Sequence, residues 1–192
     1  MITISVRHDF KELERWLTGI EKKQLPFATA TALNQTKKRL QGELATVMIR
    51  ELDRPTPFTM SAFDDSSSTW AKKTNLMAWV RFKKIQAQYL YPQVYGGNET
   101  DIHLVPGKKA TLNQYGNLPK NASRGRGVFT MPGKKDTLYK RRGKEIIRLG
   151  HWSKSRSYRK RLPFEQIIES KFGPIFGMEF GTAFSLAMLT AR

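Results

Sequence analysis

The residues best equipped for chemistry lie between Tyr139 and Phe164, in the stretch YKRRGKEIIRLGHWSKSRSYRKRLPF. Ten side chains there are cations: Lys140, Arg141, Arg142, Lys144, Arg148, Lys154, Arg156, Arg159, Lys160 and Arg161. They face one acid, Glu145. Such a density of positive charge suits the line of negative charge along a phosphate backbone, or an acidic protein surface. Tyr139, Trp152 and Tyr158 are threaded among the cations. Trp152 and Tyr158 admit two readings: they stack on exposed bases, or they anchor a hairpin to its core, which is the simpler of the two. No helix-turn-helix, zinc-finger or RNP pattern accompanies them. Contact with nucleic acid is therefore expected to be non-specific and steeply salt-dependent.

Other chemistry is thinly represented. His8, His103 and His151 stand far apart, with no companion at metal-ligand spacing. The carboxylates do not gather as a hydrolytic pair would. Asp64-Asp65 could hold a divalent ion, but an acidic loop explains the pair as well. No glycine stretch matches a phosphate-binding loop or a dinucleotide fingerprint. With no cysteine there is no disulfide, no thiolate nucleophile and no zinc ribbon. The expectation is a protein that is not an enzyme, with no cofactor and no metal.

The charge is large and uneven. The 192 residues carry a net +18, with 39% hydrophobic residues and a mean hydropathy of −0.53. Residues 1–100 hold 15 cations and 10 acids, whereas residues 101–192 hold 19 and 6. Solubility alone needs far less charge than this, so a polyanionic neighbour is implied. No uninterrupted apolar run approaches about 18 residues, and no membrane span is expected. The opening MITISVRHDF reads as a strand rather than a leader.

These side chains must be held by an α+β fold. Ile2, Ile4 and Val6 alternate as a short strand, and Asp9 with Glu12 caps a helix that Gly19 and 21–24 end or bend. A second helix is predicted from Leu25-Pro26 to about Leu52, roughly 40 Å long. Its apolar face is Leu33, Leu40, Leu44, Val47 and Met48, with Lys37 placed elsewhere. The small residues of its first half leave room for a neighbour to approach closely. Asp53-Arg54-Pro55-Thr56-Pro57 stops it. Leu76, Ala78, Val80 and Phe82 form the strongest predicted strand. Tyr89–Tyr95 is a second strand, interrupted at Pro92.

Residues 96–127, rich in glycine and proline, read as an extended loop or arm. Residues 128–162 read as a basic hairpin region, with strands at 128–130, 137–141 and 145–149 and Arg142-Gly143 as the tight turn. One face would carry Lys140 and Arg142, the other Tyr139 and Arg141, with Arg148 nearby. PGKKATL (106–112) and PGKKDTL (132–138) form a small repeat. Its two copies read as solvated type II turns or, alternatively, as a duplicated phosphate contact. Two helices, one from Phe164 and one after Gly173-Pro174, close the chain. The expected whole is a single domain over residues 1–192, its long N-terminal helices and C-terminal helix packed on an antiparallel β-sheet.

Several segments together resemble a known family. PFATATALNQTKKRLQGELATVMIRELDRPTPFTMSAF, NLMAWVRFK, YLYPQVYGG and LNQYGNLPK are similar in type and order to the minor tail protein Z-like, or tail-completion, proteins of tailed bacteriophages. The likeness covers about residues 25–120, and YRKRLPFEQI with FGMEFGTAF matches that family's ending. The basic stretch 134–161 departs from the family pattern. The resemblance implies a structural virion protein at the head-tail junction or upper tail, a neck or tail-completion component assembled in the host cytoplasm. It implies a closed homo-oligomeric ring, six- or twelvefold, around double-stranded DNA. Connector or adaptor proteins and tail-tube or tail-terminator proteins would be its neighbours, with no membrane involved. On that reading Phe27, Ala28, Ala30, Ala32 and Leu33 are candidates for packing between subunits, and the ten cations are candidates for meeting DNA in the lumen or an acidic partner. Two alternatives stand beside it: a free non-specific nucleic-acid-binding protein, and a tail-assembly factor absent from the finished particle.

Overall fold

The computed structural model describes residue 15 and residues 18–100, 102–119 and 122–189. The strand expected at 2–6 and nearly all of the helix begun at Asp9 lie outside them. Four α-helices are described: α1 (Leu25–Glu51), the single turn α2 (Pro57–Met60), α3 (Lys84–Tyr95) and α4 (Phe164–Leu189). Six strands accompany them: β1 (Gly97–Glu99), β2 (His103–Pro106), β3 (Val128–Met131), β4 (Lys134–Arg142), β5 (Glu145–Ser153) and β6 (Arg156–Tyr158). The fold is α+β, and every strand pairing is antiparallel. Backbone packing divides the chain into two compact units. The first holds Met1–Leu44, Phe63–Phe82 and Phe164–Arg192; the second holds Ala45–Ala62 and Lys83–Pro163.

In the first unit α1 does not begin afresh at Leu25-Pro26 as expected. A π-helical stretch, Ile20–Gln24, runs straight into it, and the Leu25 amide reaches back five residues to the Ile20 carbonyl. Pro26 has no N–H for the Lys22 carbonyl, and a wider turn ahead of it relieves the clash of its ring with that carbonyl. Along α1 the predicted face is inward, with Leu40, Leu44 and Met48 buried. Lys37 is buried too, at 1% exposure, against the expectation that it lies elsewhere. It sits four residues after Leu33 and three before Leu40, within the apolar stripe itself. Its Nζ donates to Thr69 Oγ1 (2.7 Å) and Asp65 Oδ1 (3.1 Å) and lies 4.0 Å from the centre of the Trp70 ring.

Residues 76–82, the strongest predicted strand, make no ladder. They run extended on isolated bonds, Trp79 N–H to the Thr69 carbonyl and Asp64 N–H to the Arg81 carbonyl, and Phe82 makes a lone bridge with Phe63. The alternation gives the sides from Ala78 on: Ala78 and Val80 are half-buried and Phe82 is buried, while Met77 and Trp79 are exposed; Leu76, expected inward, is exposed at the segment's start. Among the described residues this segment has no partner strand. Asn34 ties this segment to α1 instead, donating from Nδ2 to the Ala71 carbonyl (3.0 Å) and accepting from the Ala71 amide at Oδ1 (2.8 Å).

The two expected closing helices are one. α4 continues through Gly173-Pro174, and Phe172, Phe176, Phe180 and Phe184 stack at four-residue intervals with centroids 5.4–5.8 Å apart. Contacts repeated on both sides of the proline outweigh one lost amide bond to the Ser170 carbonyl. Ala183 and Ala187 pack with Ala28 and Ala32 of α1, and Glu179 pairs with Arg39. By length and composition α4 is also apolar enough to cross a membrane: an 18-residue window reaches a mean hydropathy of 1.3 with 11% of it buried. Glycines and polar residues interrupt the run, so a search for uninterrupted apolar stretches passes over it.

In the second unit Tyr89–Tyr95 belongs to helix α3, not to a strand. Gln86, Ala87, Leu90 and Val94 are its buried residues, a helical spacing that overrides the β-propensity of the tyrosines and valine. β2-β5-β4-β3 form one sheet, and β1-β6 form a second. The segment read as an arm thus supplies β1 and β2. The basic hairpin turns at Gly143-Lys144, one residue later than expected, with Arg142 opposite Glu145. Of the repeated turns only the second fits type II: Pro132-Gly133 joins β3 to β4 with Gly133 at φ +78°. In the first copy Pro106 closes β2 and the turn falls at Gly107–Ala110.

Candidate nucleic-acid interface and an arginine-lined cavity

The ten cations fall into two groups within the second unit. Lys140, Arg141, Arg142, Lys144 and Arg148 lie on the β4-β5 hairpin; Lys154, Arg156, Arg159, Lys160 and Arg161 lie on the chain that follows it. All are exposed except Lys140, which is half-buried. Tyr139 pairs with Arg148 and Arg141 with Ile146, so Arg141 and Arg148 share a face with Tyr139, while Lys140 and Arg142 point the other way. None of the ten pairs with a described carboxylate. Four cations of the first unit, Lys37, Arg39, Arg81 and Lys171, pair instead with Asp65, Glu179, Asp64 and Glu43. The second unit holds 21 Lys and Arg against 6 Asp and Glu, a net +15 of the chain's +18.

The five packing candidates are split. Ala28 and Ala32 are covered by α4 of the same chain, and Ala30 is buried. Leu33 is half-buried, lining a 270 Å³ cavity with Ala78, Val80 and Phe172. Phe27 is 43% exposed, with Lys73 Nζ 4.9 Å from its ring centre. Trp152 is 38% exposed on β5, opposite Leu104.

Tyr158 leads to a feature that reading along the sequence misses. Arg156, Arg159 and Arg161 line a cavity of about 590 Å³, and a fourth arginine, Arg54, joins them from the turn after α1. Tyr89 and Gln93 of α3, Tyr115 and Asn117 of the following loop, and Tyr158 complete the wall. The segments RPTPF, YLYPQV, LNQYGN and SRSYRKR therefore meet in one place.

Arg54 is fixed there by three devices. Its backbone is left-handed, φ +47°, the only non-glycine with positive φ among the described residues. Its guanidinium donates twice to Asp53, Nε to Oδ1 at 3.0 Å and Nη2 to Oδ2 at 3.1 Å. Beyond it lies Gly116 at φ +76°, where an added Cβ would stand 2.7 Å from Arg54 Nη2. Asn113 Oδ1 holds the Gly116 loop by accepting from the amides of Tyr115 and Asn117, both at 3.0 Å.

The electrostatics agree with the geometry. Hydrogen bonds from Arg54, then its charge and that of Arg161, hold the Asp53 carboxyl below the usual range. The same pairing raises Arg54. Arg156 Nη1 lies 3.3 Å from the Tyr158 hydroxyl, with its guanidinium 5.6 Å from that ring's centre. Such a wall can receive an anion with little rearrangement. Among the described residues no three His, Asp or Glu converge to hold a metal.

No protein-family model, curated protein or solved structure matches this chain.

Proposed function

We propose that this chain is a structural virion protein of a tailed bacteriophage, forming a ring around the DNA path at the head-tail junction or upper tail. The observation that carries the reading is the separation of charge. The first unit nearly balances its charge, with 13 cations against 10 acids and four of those cations in ion pairs, while the second unit keeps +15 with none of its ten hairpin and post-hairpin cations paired to a described carboxylate. Unpaired, exposed charge suits a wall past which DNA slides, because it attracts phosphate without gripping a base.

Contact between copies is supported by α4. Gly173, Gly177 and Gly181 recur every fourth residue, and an added Cβ at each would meet open space. Met178, next to Gly177, is exposed. With Ala28 and Ala32 covered within the chain, close approach of a neighbouring copy falls to this stripe and to Phe27 rather than to the alanines.

Quantitative mass spectrometry of gradient-purified phage particles tests the reading. A ring-sized copy number, with unjoined heads and tails when the chain is deleted, is the expected result. Absence from the particle would sink it. A companion measurement follows fluorescent double-stranded DNA against salt. Lys140→Ser, Arg141→Ser and Arg142→Ser together should flatten the log–log salt slope by about two to three.

A further inference from the structure

We infer that the arginine-lined cavity of the second unit is a discrete site for one phosphate group carried by a nucleotide or a nucleic-acid strand. It rests on the polyanion reading of this unit but differs from it in kind. The hairpin offers diffuse charge, whereas the cavity offers charge fixed in position.

Three observations carry the inference. First, four arginines from two separate segments line a cavity of about 590 Å³, a volume ordinary for a small-ligand site. The only lining carboxylate, Asp53, is already engaged by Arg54. The wall thus has a surplus of donors and no free anion of its own.

Second, Arg54 is held in place before any ligand arrives. A left-handed arginine backbone is strained, and such strain gathers where surrounding structure enforces a binding geometry. Asp53 occupies part of the guanidinium fork, and Gly116 leaves space that any other residue would fill. Arg54 is 54% exposed, but its two bonds to Asp53 mean that part of the side-chain entropy lost on binding an anion has already been lost in folding. None of the ten cations singled out from the sequence is held by a carboxylate in this way.

Third, the ligand's chemistry can be narrowed. With Arg54 matched by Asp53, a single carboxylate would still leave two of the three remaining positive charges unmatched. A phosphate monoester brings nearly two charges and three acceptor oxygens, enough for bidentate contacts to more than one guanidinium. Tyr115 and Tyr158 on the same wall add hydroxyl donors and ring faces on which a base can lie.

The test is isothermal titration calorimetry of the full chain with three probes: inorganic phosphate, a short 5′-phosphorylated single strand, and the same strand without its phosphate. The expected result is one saturable site per chain for a phosphate-bearing probe. That site should weaken about tenfold to a hundredfold in Arg161→Gln and in Gly116→Ala, which displaces Arg54. It should persist in the Lys140→Ser, Arg141→Ser, Arg142→Ser variant, which is expected to weaken only duplex binding. Thermal melting of Arg161→Gln should change little, because among the described residues its guanidinium makes no hydrogen bond or ion pair and acts only through its charge on the exposed Asp53. If the strand binds only when phosphorylated, the ligand is a strand end; if inorganic phosphate competes equally, the phosphate alone suffices. Equal binding of the unphosphorylated strand would overturn the inference. So would equal binding of a tetraglutamate peptide, or a loss on the hairpin substitutions as large as on Arg161→Gln. Each of those results leaves the virion reading standing.

Discussion

Asn34→Ala is the substitution whose cost can be worked most directly from the structure. Asn34 makes two hydrogen bonds, 3.0 and 2.8 Å, to the carbonyl and amide of Ala71, which lies 37 residues away and is 6% exposed. Removing the amide side chain loses both bonds and leaves two backbone groups poorly reached by water. An unsatisfied buried polar group costs about 1–3 kcal/mol, and water that reaches part of the site recovers some of it. The expected loss is about 2–4 kcal/mol, a large share of a domain stability of about 5–15 kcal/mol. Asn34→Asp separates the two bonds. Its carboxylate still accepts from the Ala71 amide, but turns a lone pair toward the Ala71 carbonyl, so it should also destabilise. Equilibrium urea unfolding reads both variants, with tryptophan fluorescence reporting on the first unit through Trp70 and Trp79 alongside far-UV circular dichroism. A loss below about 0.5 kcal/mol for Asn34→Ala would refute the reasoning that this residue fastens the 63–82 segment to α1.

Three other outcomes are expected. The Asp64 carboxyl is lowered to about 2, first by the Ser66 amide and then by Arg81; its contribution should be present above about pH 4 and lost as pH falls toward 2, and Asp64→Asn should remove that part of the acid-denaturation curve. Lys37→Met should be near neutral in urea, because Asp65 stays solvated and Thr69 keeps its bond to the Ser66 carbonyl, while Lys37→Ala should cost about 2–4 kcal/mol for the void it leaves; equal losses would mean that the charge, not the packing, matters. Gly177→Ala should stabilise the chain by about 0.5–1 kcal/mol, since its Cβ meets open space, whereas Gly177→Ile should abolish self-association on double-stranded DNA in sedimentation experiments without unfolding the helix; an unchanged association state on DNA would remove α4 from the interface.

What the sequence makes legible is periodic and local. The long α1, its inward leucines, the basic hairpin and its face alternation are all written in spacing that one element obeys by itself. The errors occur where two local signals compete. Tyr89, Tyr91, Val94 and Tyr95 favour a strand by type, yet Gln86, Ala87, Leu90 and Val94 favour a helix by spacing, and burial sides with spacing. At 76–82 the alternation gives the inward side of Ala78, Val80 and Phe82 though not of Leu76, but a strand needs a partner, and among the described residues there is only the bridge to Phe63. Gly173-Pro174 is a breaker by composition and is overruled by phenylalanines stacking on both sides of it.

The cavity could not be read in this way, because its wall comes from segments separated by up to about a hundred residues. Its one local sign is the run Asp53-Arg54-Pro55, where an acid, a cation and a chain stop adjoin.

The arrangement of charge bears on how a ring could close. A unit with +15 repels its copies, so subunits packed side by side must overcome a cost that grows with each one added. Two routes lower that cost: salt, which screens the exposed cations within about 10 Å at 0.1 M, and a polyanion that the ring encloses. DNA in the lumen would supply the second, turning repulsion between copies into shared attraction to one strand pair. On that argument the hairpin cations and the glycine stripe of α4 are linked devices. On the proposed reading the stripe would permit contact between copies, and the charge would make that contact favourable chiefly where phosphate is already present. A chain built this way should remain apart in free solution and assemble at the DNA path, which is where a tail-completion ring is required.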